Sequence, residues 1–261
     1  MYKKIISVLM LTMLVCCGCT KKTEEPLVND LNVITNRGEI IAGVKTDTYP
    51  FGYYDEKGHF AGYDTVLARL IARGILGSDK KVKFVPVTAS DRMMKLYSGE
   101  VDMIIATMSV TPKRREILDF SDSYHTAGQA VLVKKTSAIK SLSDLNGRRA
   151  IIVFGSTSEN SLRTAVPRVV ILGCKTYTEA YNALKAGKAD AIVSDDTILL
   201  GLALKDDSVK LLPKRYTKEP YAVAFRKGAE SKDLIRAVNN VIEIETKNGN
   251  LKKIKKSFGI D

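Results

Sequence analysis

Three sets of side chains in this sequence have the chemistry to grip a small zwitterion. The first lies in TMSVTPKRREILDFSDSY, Thr107–Tyr124, where Arg114 follows the hydroxyls of Thr107, Ser109 and Thr111. A guanidinium can meet a carboxylate with two parallel hydrogen bonds, which an ammonium cannot do. The second is GSTS, Gly155–Ser158, at the start of a helical pattern. The opening turn of a helix has N–H groups without intrahelical partners, and the hydroxyls of Ser156, Thr157 and Ser158 add to that anion-friendly end. The third is Asp195, just beyond the apolar run ADAIVS, whose carboxylate suits an ammonium. Each set also has a plain structural reading: Arg114 as a solvated helix-face arginine, Asp195 as an N-cap, and the GSTS hydroxyls as caps. His59 and His125 sit in no ligand or acid–base spacing and read as structural. No activated nucleophile and no acid–base pair can be assigned, so no catalytic residue, metal site or cofactor is predicted.

The elements that must position these groups alternate between short apolar runs and helical periods. IIAGV (Ile40–Val44) reads as a strand. GYDTVLARLIARGIL puts Val66, Leu67, Leu70, Ile71 and Ile75 on one helical face. VKFVPV is a strand, SDRMMKLYSG a helix capped by Ser90 and stopped by Gly99, and VDMIIA a third strand. The same grammar returns in AIIVF, SENSLRTAV, VVIL, TEAYNALKAG and ADAIVS. LYSGEVDMIIA and LKAGKADAIVS share Leu-x-x-Gly-x-x-Asp before an apolar strand, which suggests two similar α/β lobes with largely parallel sheets. Ligands of open α/β sheets sit beyond the carboxyl ends of the strands. Thr107–Arg114, GSTS and Asp195 all follow such ends, so a cleft between lobes would gather them. Gly128–Lys135 and Glu219–Gly228 read as two strand-like crossings, and the helical tail from Asp233 would pack back on the first lobe.

Composition narrows the partners. The chain has 261 residues, 45% hydrophobic content and a formal charge of +12. The basic residues are scattered, and no nucleic-acid-binding motif is present, so no nucleic-acid partner is expected. MYKK, the short apolar run IISVLMLTMLV and then CCGC resemble a bacterial lipoprotein signal, with Cys19 as the lipidated residue and Cys17 as the lesser candidate. The polar TKKTEEPLVND would be a tether. With Cys19 lipidated, Cys174 is the one other mature cysteine and reads as a small packed side chain.

GYDTVLARLIA, GEVDMIIATMSVTPKRREILDFSDSY, SLSDLNGRRAIIVFGSTS and ADAIVSDDTILLG together resemble the family 3 bacterial extracellular solute-binding proteins. The resemblance covers nearly all of the mature chain. It implies an α/β fold of two Rossmann-like lobes joined by two crossing strands, the type 2 periplasmic binding protein fold. The implied division is a signal peptide at 1–18, a lipid-anchored tether at 19–37, lobe 1 at 38–130 plus 223–261, and lobe 2 at 131–222. It further implies a monomer that binds a free amino acid, delivers it to an ABC transporter permease, and sits as a membrane lipoprotein facing the extracellular side or periplasm. Hinges would lie near Gln129–Leu132 and Tyr221–Ala224. By resemblance, Arg114 holds the α-carboxylate with Thr107 and Ser109 beside it, Thr157 and Ser158 meet it from the second lobe, and Asp195 takes the α-ammonium. Phe154 stands at a ligand-facing position where some members carry lysine. Thr48 replaces a stacking aromatic, for which Tyr49 or Phe51 would compensate. The LDFSDSY segment would fix the turn beneath the site. Lys45 and Arg92 match positions facing the ligand side chain, and their charge ranks glutamate or aspartate first, then glutamine or asparagine, with cysteine or cystine as the alternative. An exported enzyme on this fold, such as a dehydratase, is the rival class.

Overall fold

The computed structural model describes residues 29–260. The expected signal segment and Cys19 lie outside the described residues. No helix among the described residues is long and apolar enough to cross a membrane. Along the chain, α1 (Asp30–Arg37) precedes β1 (Ile40–Val44), and a small antiparallel ribbon of β2 (Asp47–Thr48), β3 (Gly52–Tyr54) and β4 (Phe60–Ala61) leads into α2 (Tyr63–Leu76). Then come β5 (Val82–Pro86), α3 (Arg92–Tyr97), β6 (Met103–Ile104), α4 (Pro112–Arg115) and the long β7 (Leu118–Ala127). The second unit runs through β8 (Gln129–Lys134), β9 (Arg149–Val153), α5 (Ser158–Ala165), β10 (Val170–Cys174), α6 (Tyr177–Lys185), β11 (Ala191–Asp195), α7 (Asp196–Ala203) and β12 (Val209–Leu211). The chain returns in β13 (Glu219–Arg226) and ends with α8 (Lys232–Lys247) and α9 (Asn250–Ser257).

Two five-stranded sheets follow one plan. Their orders are β5-β1-β6-β13-β7 and β10-β9-β11-β8-β12. In each, four strands share one direction and one, β13 or β8, runs against them between the third parallel strand and the strand at the edge. The strand arriving from the other lobe, β13 or β8, lies beside the third parallel strand. The repeated Leu-x-x-Gly-x-x-Asp has a physical use in this plan. Asp102 Oδ2 accepts the Ile41 N–H at 2.7 Å, and Asp190 Oδ2 accepts the Arg149 N–H at 2.9 Å. Each acid thus satisfies a backbone donor near the start of its own lobe's first parallel strand, β1 or β9.

The apolar stripe of α2 is buried at Leu67, Leu70 and Ile71 and packs with Leu234, Val238 and Ile242 of α8 against the first sheet. The tail therefore does pack on the first lobe, as its periodicity predicts. Separate apolar clusters fill the second lobe on both sheet faces.

Local details depart from the sequence expectations. Ser90 does not cap α3: Asp91 precedes the helix, and its carboxylate accepts the Thr88 N–H at 2.7 Å instead. LDFSDSY, expected to fix a turn beneath the site, is the body of β7, which pairs along β13. The change of sheet falls at Gly128 and between Leu211 and Glu219, earlier than the expected 130/131 and 222/223 boundaries. Gln129–Leu132 already belongs to the second sheet and Tyr221–Ala224 to the first, because ladder pairing begins as soon as each strand enters its lobe.

Candidate functional site

A narrow cavity lies between the two lobes, at the ends of the parallel strands. Lys45, Ala89, Arg92, Thr107, Ser109 and Arg114 line it from the first lobe. Ser156, Thr157, Tyr177, Asp195 and Ile198 line it from the second. Lys45 follows β1 directly and is buried, with Nζ donating to Thr107 Oγ1 at 2.7 Å and lying 5.0 Å from the Tyr177 ring centre. Arg92 starts α3 and donates from Nη1 to Ala106 O at 2.7 Å. Arg114, on the single turn of α4 capped by Thr111, donates from Nη1 to Ser109 O at 2.7 Å. Its Nη2 reaches across the cleft to Gly155 O at 2.9 Å, and Arg92 Nη2 approaches the same oxygen at 3.4 Å. A guanidinium has five N–H donors, so these carbonyls leave Arg114 donors for a carboxylate.

Asp195 ends β11 and is buried. Its two oxygens accept hydrogen bonds from Gln129 Nε2 and Tyr221 Oη. Both partners come from the crossing strands, β8 and β13, so the acid is held by the connections between the lobes. The lobes also meet where the Tyr177 N–H donates to Asp47 Oδ2 at 2.9 Å. Gly155 lets them approach: its φ is +78°, and a Cβ there would lie 2.3 Å from Ala89 O.

Burial dominates the electrostatics. It pushes the Asp195 carboxyl up to about 6 against the opposing effect of the Tyr221 hydrogen bond. Burial, with Arg92 next, lowers Lys45 to about 8. Arg92 falls to about 9 through burial and then through Arg114. Arg114 is lowered by burial and held charged chiefly by Asp195. The cavity thus presents three crowded cations and one carboxylate, an arrangement suited to an anion on one side and an ammonium on the other.

Arg114, Asp195, Thr107, Ser109, Thr157, Lys45 and Arg92 come together on the cavity wall. Ser158 does not reach it. It is fully buried behind Thr157 as the first residue of α5. Phe154 is outside as well: it follows the carboxyl end of β9, 47% exposed, and its ring covers Gly173 of the edge strand β10. Tyr49 faces a neighbouring, wider cleft, edge-on to Tyr53 at 5.0 Å and with Lys205 Nζ 4.9 Å from its ring centre. Phe51 gives no stacking surface either, being wholly buried between Tyr63, His125 and Tyr221. Sequence reasoning missed Tyr177, Gln129, Tyr221 and Asp64. Asp64 was visible only as one acid within an apolar helix pattern. It is fully buried, accepting the Thr107 N–H at 2.9 Å and the Tyr124 hydroxyl at 2.9 Å.

Comparison with known proteins agrees with this geometry. Residues 40–260 match the model of the bacterial extracellular solute-binding proteins, family 3. The chain is 36% identical over 260 residues to the ABC transporter glutamine-binding protein GlnH of Bacillus subtilis, covering 97% of this chain and 94% of that protein. It is 40% identical over 214 residues to the glutamine-binding protein of Geobacillus stearothermophilus, covering 81% of each. Among solved structures, the cysteine-binding protein of Campylobacter jejuni superposes with a TM-score of 0.84 at 32% identity, over 88% of this chain and 92% of that one. With the family model matched over residues 40–260, the chain belongs to the family 3 bacterial extracellular solute-binding proteins.

Proposed function

We propose that this protein is the extracytoplasmic substrate-binding component of an ABC importer, a monomer that closes on one polar amino acid and presents it to a membrane permease. The observation that carries the reading is the cavity in which Arg114 and Asp195 face each other from opposite lobes. Arg114 takes the α-carboxylate and Asp195 the α-ammonium. Neither lobe holds the full set, so the ligand binds the closed arrangement more tightly and shifts the population towards it. Binding rather than catalysis is the role, in keeping with the relatives.

The side chain is read from Lys45 and Arg92, with one revision. Counting Lys45 and Arg92 alone ranks glutamate first. Asp64 lies within electrostatic reach of both cations, however, and offsets one of them. One cation then remains for the ligand side chain, which a carboxylate or the carbonyl oxygen of an amide can meet, so glutamine and glutamate stand close on charge alone. The two glutamine-binding relatives favour glutamine. Cysteine or cystine is the second reading, favoured by the likeness to the Campylobacter jejuni structure.

A thermal-shift panel of amino acids and cystine tests the assignment. A ligand at 100 times its Kd stabilises by about 2.7 kcal/mol. Glutamine should give the largest shift. If arginine or leucine does, with none from glutamine or glutamate, the side-chain reading fails. The CCGC segment supports a lipid anchor on Cys19, and hence a position on the outer face of a membrane. Mass spectrometry of the mature N-terminal peptide checks this, and an acyl-free Cys19 would remove the anchor.

A further inference from the structure

We infer that Asp64, which is not on the cavity wall, is the positioning residue that sets which side chain the site accepts, by holding Thr107 and by opposing the charge of Lys45 and Arg92. The inference rests on the amino-acid-binding reading above and deepens it.

A continuous chain of hydrogen bonds links Asp64 to the cavity. The Tyr124 hydroxyl donates to Asp64 Oδ1 at 2.9 Å, Asp64 Oδ2 accepts the Thr107 N–H at 2.9 Å, and Thr107 Oγ1 accepts from Lys45 Nζ at 2.7 Å. Thr107 has φ +46°, and it is the one non-glycine residue in the left-handed region among the described residues. A β-branched residue there is strained and persists only where its surroundings impose the conformation. Asp64 imposes it by taking the backbone N–H, and that turn aims the hydroxyl at Lys45. Asp64 is also fully buried, a costly place for a carboxylate without nearby cations. Burial raises its carboxyl to about 6, while Lys45 and Arg92 pull the other way. The same charge makes the potential at the ligand side chain less positive, which favours an amide over a carboxylate.

The test is the ratio of glutamate to glutamine affinity, measured by calorimetry on the full folded protein. Asp64→Asn keeps an acceptor for Thr107 and lets the Tyr124 hydroxyl turn to accept from the new amide, so it removes charge with little change of shape. With an effective dielectric near 20 around such charges, the ratio should rise by about tenfold or more in favour of glutamate. Tyr124→Phe removes one hydrogen bond that also helps keep Asp64 ionised, so it should lower both affinities together and move the ratio less than Asp64→Asn does. Equal loss for both ligands in Asp64→Asn would show a merely structural role and overturn the inference. If Asp64→Asn does not fold, the wild-type ratio decides. Lowering the pH from about 7 to about 5.5 protonates Asp64, with Lys45, Arg92, Tyr63 and Tyr124 around it keeping their protons, and should move the ratio towards glutamate. Asp195 also titrates there, but it meets the α-ammonium common to both ligands and cancels in the ratio. A flat ratio, with glutamine still bound, overturns this inference alone; no binding of either amino acid overturns it together with the functional reading.

Discussion

Replacing Gly155 by alanine should wedge the lobes apart. The new Cβ would stand 2.3 Å from Ala89 O, 2.6 Å from Ala89 C and 2.8 Å from Ser90 Cα, all on the opposite lobe. Ordinary carbon–oxygen contact is roughly 1 Å longer, and these are backbone atoms that cannot swing aside as a side chain would. A retreat of that size breaks the 2.9 Å bond from Arg114 Nη2 to Gly155 O and the 3.4 Å approach of Arg92 to the same oxygen. A hydrogen bond from a charged donor contributes about 1.5–3 kcal/mol, so losing the Arg114 bond alone predicts about 10- to 100-fold weaker binding. Gly155 also has φ +78°, and alanine there is strained whatever the space. Gly147→Ala separates the two effects, because Gly147 has φ +73° with nothing within 4 Å of its Cβ position. Both variants should melt at lower temperature by similar amounts. Calorimetry should show lost glutamine affinity only in Gly155→Ala, and small-angle scattering should show a larger ligand-bound radius of gyration for it. Native affinity in Gly155→Ala would refute the contribution of this close approach to binding.

Arg114→Ala or Asp195→Ala should each weaken glutamine binding at least about tenfold by calorimetry, since each leaves a charged α-group of the ligand unpaired. Affinity should also fall as pH drops through about 6, by up to about tenfold per unit, because the ammonium of the ligand needs the ionised Asp195. The ligand-free protein should show the opposite trend in thermal unfolding. Asp64 and Asp195 are both raised from 3.8 to about 6, so the folded state holds extra protons between those values and loses stability as pH rises through that window. A ligand-free melting temperature that climbs across the window would contradict the burial assigned to these two acids.

Much of the architecture is legible in the sequence because its signals are local. The stripe of Val66, Leu67, Leu70 and Ile71 repeats with the helical period, and the runs at Ile40–Val44 and Ala191–Asp195 are short, apolar and closely bounded. Strand ends are therefore predictable, and so is the gathering of Arg114, Thr107 and Asp195 beyond them. Direction is harder to read. Phe154 follows a strand end as closely as Asp195 ends one, yet its ring turns over Gly173 and away from the cavity. One residue of displacement from a pleat reverses a side chain, and no local periodicity records which way the chain leaves the sheet.

The sequence by itself determined the two α/β units, their common grammar and the residue types able to hold a zwitterion. Tertiary structure decided which of those residues share a volume, and which unmarked ones support them. Asp195 is clamped by Gln129, 66 positions away, and by Tyr221, 26 positions away. Thr107 is held by Asp64, 43 positions away, inside a helix whose pattern otherwise spells only core. Tyr177 enters the site because its N–H meets Asp47 across the cleft, 130 positions away. Hydrogen-bond partners of buried charges are chosen by proximity in space, and two lobes meeting face to face create proximities that neighbouring residues in the chain do not encode.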